Sequence, residues 1–148
     1  MADSTPTLAG FTAYCRAIPF PTAAIPDDDP GFAIALAIAL QWIPQQLNAL
    51  NATLYTYTVY EWGASVMIER QNDVPPSTFF ADLRKAFLVD NFVPGVISSA
   101  ADNGTSEGMT VGSSLSNLGI ADLQRLKDPW GRRALATLQS MGPLWGLT

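Results

Sequence analysis

Between Pro30 and Pro44 the chain reads Gly31-Phe-Ala-Ile-Ala-Leu-Ala-Ile-Ala-Leu-Gln-Trp-Ile43, without a single charged residue. Asp27-Asp-Asp-Pro30 in front of it is a helix start: acidic side chains suit the positive end of the helix dipole, and proline at the first helical position forfeits no bond. Ile43-Pro44 behind it breaks the helix. The spacing predicts a helix over Gly31 to Trp42 that is apolar almost all round. Such a helix must be covered on most sides, either inside the domain or between copies. The apolar run from Phe32 to Leu40 is too short to span a bilayer, which takes roughly 18 residues or more. The three carboxylates also read as a cation site, but no further acidic residue stands at ligand spacing, so capping is the better account.

The rest of the chain is punctuated in the same way. Leu8, Phe11, Tyr14 and Cys15 recur at the three-and-four spacing of one helical face within Thr5 to Ile18. Ile18 to Pro26 is dense in proline and reads as an extended linker, making 1–29 an N-terminal arm. A long helix is expected over roughly Asn51 to Gln71, with Leu54, Tyr57, Val59, Tyr60, Ala64, Met67 and Ile68 on its core face. The aromatics Tyr55, Tyr57, Tyr60 and Trp62 fit packing better than base stacking in an acidic chain. Val74-Pro-Pro76 ends this helix, and Ser77 caps the next, Thr78 to about Leu88. Here Phe79, Phe80, Leu83, Phe87 and Leu88 are expected inward, with Arg84 and Lys85 in water.

Val93-Pro94-Gly95 then turns the chain into a short extended piece, Val96 to Ala101. Asn103-Gly104 is a tight-turn dipeptide, and Met109 to Val111 is a candidate return strand. The polar excursion from about Ser98 to Asn117 is longer than a connection needs and reads as a contact loop. Near the C-terminus Asp128-Pro129 repeats the helix start. Leu135 and Leu138 mark an apolar face, and Gly142-Pro143 is the stop. Trp130 is expected to reach back over Leu123 and Leu126. Gly131, costly in a first turn, implies close approach of another backbone or ring, most simply from the long helix. Arg125, Lys127, Arg132 and Arg133 place four of the chain's eight basic residues within nine positions. With Leu144-Trp145 just beyond, the cluster reads as a docking element.

The fold class expected is mainly α: one domain of 148 residues, with a helical core over 30–142. Into it is set a long polar loop or short β-hairpin at about 95–115, and an extended tail, 143–148, follows. Charged residues make up 14% of the chain. That is well below the roughly 25% usual for globular domains and points to a surface partly covered by neighbours. The net charge of −5 argues against general nucleic-acid binding. Met1 to Thr5 lacks the start of a signal peptide. The chemistry expected is no catalysis, no cofactor and no metal. There is no histidine, the single Cys15 builds no zinc cluster, and Ser113 and Ser114 lack a base. A Glu61–Glu69 pair is the remaining opening for a hydrolase.

The segments Gly95 to Glu107 and Leu123 to Arg133 resemble the tailed-bacteriophage head-to-tail connector proteins, also called adaptor, neck or head-completion proteins. The likeness rests on Ser98-Ser99 with Asp102-x-Gly104-Thr105-Ser106, on Ala121-Asp122-Leu123-Gln124, and on Lys127-x-Pro129-Trp130-Gly131-Arg132. Upstream, Leu54-Tyr-x-Tyr-x-Val-Tyr60 with Gly63-Ala64 is similar to that group's core helix. Asp128 stands where the pattern has threonine, and both residues cap helices. The resemblance, over roughly 30–148, implies a non-enzymatic virion subunit assembled in the host cytoplasm into a ring at the neck, a dodecamer by the portal's symmetry. Its implied partners are the portal protein, neighbouring copies, a tail or stopper/terminator protein and packaged DNA in passing, with no membrane. The implied contact residues are Arg125, Lys127, Trp130, Arg132, Arg133, Leu144, Trp145, Asp102, Thr105 and Ser106. A tail-terminator or scaffold subunit is the alternative, and a small carboxylate-based hydrolase a more distant one.

Overall fold

In the computed structural model the described residues are 5–18, 20–91, 99–102, 105–108 and 120–141. They are mainly helical. Among the described residues seven helices run in order: α1 (Leu8–Ala17), α2 (Pro30–Trp42), α3 (Gln46–Leu50), α4 (Ala52–Arg70), α5 (Phe79–Ala86), α6 (Ile120–Arg125) and α7 (Pro129–Ser140). Two short strands, β1 (Ser99–Asp102) and β2 (Thr105–Gly108), pair antiparallel between α5 and α6, with Asp102 opposite Thr105. Of the first extended piece expected, Val96 to Ala101, only Ser99 to Ala101 are among the described residues. The Asn103-Gly104 turn and the expected return strand, Met109 to Val111, lie outside the described residues.

The long helix α4 is the axis of the molecule. From Thr58 to Ile68 nearly every side chain is buried, Ser65 and Gly63 included. The expected core face therefore widens to the whole circumference: α2, α7, α3, α5 and α1 all pack on it. Tyr57 is the exception. Expected inward, it is 55% exposed and stands edge-on to Tyr14. Gly63 is needed where α1 crosses, because a Cβ there would stand 2.8 Å from the ring of Phe11.

Both Asp-Pro starts act as the sequence implies. Asp29 accepts from the Gly31 amide at 2.7 Å ahead of Pro30. Asp128 accepts from the Trp130 and Gly131 amides ahead of Pro129. At α5 the capping is shared. Ser77 Oγ accepts from the Phe79 amide, but the two carboxylate oxygens of Asp73 take the Phe80 and Ala81 amides, each at 2.9 Å.

Three expectations are corrected here. Within the stretch expected to be an arm and linker, Phe11, Cys15, Phe20, Ala24 and Ile25 all belong to the core. Phe20 and Ile25 can be buried because Arg16 satisfies their carbonyls, donating to Phe20 O at 2.6 Å and Ile25 O at 2.7 Å while pairing with Asp27. Arg84, expected in water, donates to Ile68 O and Gln71 O and closes the C-terminus of α4. Leu88, expected inward, is 59% exposed. It takes a left-handed φ of 54° that ends the helical turn and swings its side chain out.

Candidate functional site

The residues singled out in the sequence converge where the α6–α7 turn crosses α4. Ser65 Oγ, one turn before the end of the buried stretch of α4, donates to Asp128 Oδ2 at 2.6 Å. The other oxygen of Asp128 holds the first two free amides of α7. Arg125 Nη1 donates to Ser65 Oγ at 3.1 Å, and its Nη2 lies 2.9 Å from Glu69 Oε2. The same guanidinium sits 5.2 Å over the ring of Trp62. One serine thus receives from an arginine and gives to an aspartate, using its single proton and one of its two lone pairs. Asp128 is 4% exposed. A buried carboxylate is tolerable there because three donors face it.

Lys127 points the other way. Its ammonium donates to the carbonyls of Leu88 and Val89 at 2.9 and 3.1 Å, and also to that of Asn91. Gln124 Nε2 shares the Val89 carbonyl. The turn after α5 is therefore pinned to the turn before α7. Trp130 is half-buried and edge-on to Phe20 and Phe87, at 5.8 and 6.4 Å between ring centroids. The approach to the long helix expected of Gly131 is present, and tighter than a helix–helix crossing alone requires. A Cβ there would overlap the Arg125 carbonyl and stand 2.9 Å from Ser65 Oγ.

The four cations therefore do not form one patch. Arg125 and Lys127 are occupied within the fold. Arg132 and Arg133 are exposed on α7, and Arg133 lies 3.9 Å from Glu61. Asp102, Thr105 and Ser106 fall on the β1–β2 pair, while Leu144 and Trp145 lie outside the described residues. The sequence did not single out Ser65 or Glu69 as partners of this cluster. Serine at the centre of an otherwise apolar helix was the available signal, since a buried hydroxyl calls for a partner.

Glu61 and Glu69 each face an arginine, not each other. Burial holds the Glu61 carboxyl above its ordinary range, against the opposing charge of Arg133. Cys15 is fully buried, and that burial pushes its thiol up to about 12. Among the described residues no group of three or more His, Cys, Asp or Glu is placed to hold a metal, and no helix is long and apolar enough to cross a membrane.

Beyond the α6–α7 turn, the most distinctive surface is the outer face of α2. Ala33, Ile34, Ala37, Leu40 and Gln41 are exposed there, Ile34 by 58% and Leu40 by 38%. An open, mostly apolar groove of about 120 Å³ runs beside it, lined by Gly31, Ile34, Ala35, Val66, Met67, Arg70 and Gln71. Comparison with family models, curated proteins and solved structures found no match to this chain.

Proposed function

We propose that this protein is a head-to-tail connector subunit of a tailed bacteriophage, a virion neck protein that forms a ring beneath the portal and acts by shape and contact. The observation that carries the reading is the Lys127-x-Pro129-Trp130-Gly131-Arg132 pattern, together with the use the fold makes of it. Lys127 ties down the turn after α5, Pro129 and Asp128 start α7, Gly131 permits the crossing, and Arg132 is left exposed. Each position of the pattern has a separate physical duty, so a chain that keeps all of them keeps this turn.

Two further features support an assembly role. Large apolar side chains stand exposed on several elements: Ile34, Leu40 and Trp42 on α2, Leu50 on α3, Tyr57 on α4 and Leu88 after α5. A chain with 14% charged residues has few charges to place between them. In this reading the polar loop at about 95–117, with Asp102, Thr105 and Ser106, contacts a neighbouring copy or tail protein. The tail, 143–148, and the exposed Arg132 and Arg133 meet the portal.

Negative-stain imaging of the purified protein, alone and with the portal protein, tests the proposal. Closed rings that bind portal are the expected result. A truncation lacking Leu144 to Thr148 should remain folded and lose portal binding. A species that stays monomeric and ignores portal would contradict the reading.

A further inference from the structure

From the outer face of α2 we infer that free subunits pair through this helix about a two-fold axis, α2 against the α2 of a second copy. The inference does not rest on the connector reading. It starts from the observation that Pro30 to Trp42 carries no charge and yet presents Ala33, Ile34, Ala37, Leu40 and Gln41 to solvent.

The pattern on this face selects a second copy as its occupant. At about 100° per residue, Ala37 lies on the midline of the exposed face. Ile34 is one turn towards the N-terminus and to one side. Leu40 is one turn towards the C-terminus and to the other side. Ala33 flanks the midline on the Leu40 side, and Gln41 on the Ile34 side. When two such helices cross antiparallel about a two-fold axis at Ala37, the two alanines meet at the crossing point and allow close approach. Leu40 of each copy then lies over Ala33 of the other, and Ile34 lies over Gln41. Large residues fall on small or slender ones, and no bulky pair is forced head-on. A face that fits its own copy in this way is the requirement of an isologous interface.

The charges agree. In the antiparallel arrangement the N-terminal half of one α2 lies beside the C-terminal turn of the other, opposite ends of the two helix dipoles. That C-terminal turn has no basic residue of its own. Arg70, which lines the groove next to Ile34, is exposed and finds no partner among the described residues. Pairing brings its guanidinium alongside the partner's terminal carbonyls.

Cysteine cross-linking tests the axis itself. Cys15 is buried, so Ala37→Cys introduces the accessible thiol on a background that should stay unlinked. Under mild oxidation Ala37→Cys is expected to give a disulfide-linked dimer. Gln41→Cys, equally exposed but far from its own copy across the axis, should not. Sedimentation should show concentration-dependent dimers in the unmodified protein. Leu40→Glu, which buries an unpaired charge, should raise the dissociation constant by at least about tenfold, and Arg70→Gln should raise it less. Circular dichroism confirms that each variant is folded. A monomer at every accessible concentration, or linkage at Gln41 in preference to Ala37, overturns the inference. In a ring built from head-to-tail contacts, Ala37 would not meet its own copy. That result would sink the two-fold pair and leave the connector reading standing.

Discussion

Gly131 at the start of α7 lies against the main-chain carbonyl of Arg125, so close that a single added methyl group would overlap it. The obstacle is backbone from the preceding helix, and a serine of the central helix stands on the other side. Neither can swing aside as a long side chain would. Alanine normally gains about 1 kcal/mol over glycine in a helix. Here Gly131→Ala should instead destabilise by about 1–3 kcal/mol, and Gly131→Leu by more. Trp130→Ala should cost about 3 kcal/mol, the low end for a tryptophan that is only half-buried. Urea melts of the three variants check this. A more stable Gly131→Ala protein would show that the turn is looser than described.

The basic residues of the C-terminal segment should separate into two classes. Arg125 holds Ser65, Glu69 and the face of Trp62 at once. Removing it leaves a partly buried carboxylate and a hydroxyl short of partners, so Arg125→Ala should cost about 1–3 kcal/mol. Arg132 is exposed, and Arg132→Ala should change stability by less than about 0.5 kcal/mol. If assembly with portal needs the exposed arginine, the second variant loses binding while melting as the parent does. Equal melting temperatures for all three proteins would refute the division.

Acid stability should depend on Asp73. Burial alone would raise its carboxyl, but the amides of Phe80 and Ala81, the Ser77 hydroxyl and the charge of Arg84 outweigh it and hold it below its ordinary range. A group depressed in the folded state adds stability at pH above its unfolded pKa, about 3.9. That contribution is lost as the pH falls through the folded value. Asp73→Ala should therefore cost about 0.5–2 kcal/mol at neutral pH, the value of a helix cap. Its penalty should shrink below about pH 4. Denaturation at neutral and acid pH reads out the difference, and a penalty that stays constant across that range would rule out the carboxylate as the cap.

Leu88 offers a simpler check on the backbone. Its φ of 54° is one that glycine adopts without cost, and its side chain is largely exposed. Leu88→Gly should therefore be neutral or stabilising by up to about 1 kcal/mol. A clear loss of stability would mean that the leucine packs where the structure shows solvent.

The features legible in the sequence were those set by neighbours in the chain. Asp29-Pro30 and Asp128-Pro129 announce their helices because cap and first-turn proline act within three residues. The long helix was legible within a residue at each end: roughly Asn51 to Gln71 was expected, and it runs from Ala52 to Arg70. Illegible were the effects that depend on distant partners. Prolines around Phe20 and Ile25 read as a linker, since nothing local says that Arg16 will fold back to hold their carbonyls. Arg125 was read as a docking residue because charge clustering is visible in sequence. Its ion partner, Glu69, stands in another helix more than fifty positions away. Leu88 fits the apolar period of α5 and is exposed because the helix ends two residues early, at Ala86.

If the protein is the ring-forming connector subunit proposed, the mass of its assembled form is the quantity to measure. Native mass spectrometry of the purified protein mixed with portal protein should show a closed oligomer of many copies, joined to the portal. Loss of that complex on deleting Leu144 to Thr148, with the fold intact, would complete the agreement. A protein that stops at a monomer or a dimer, and adds no mass to the portal, would contradict the account.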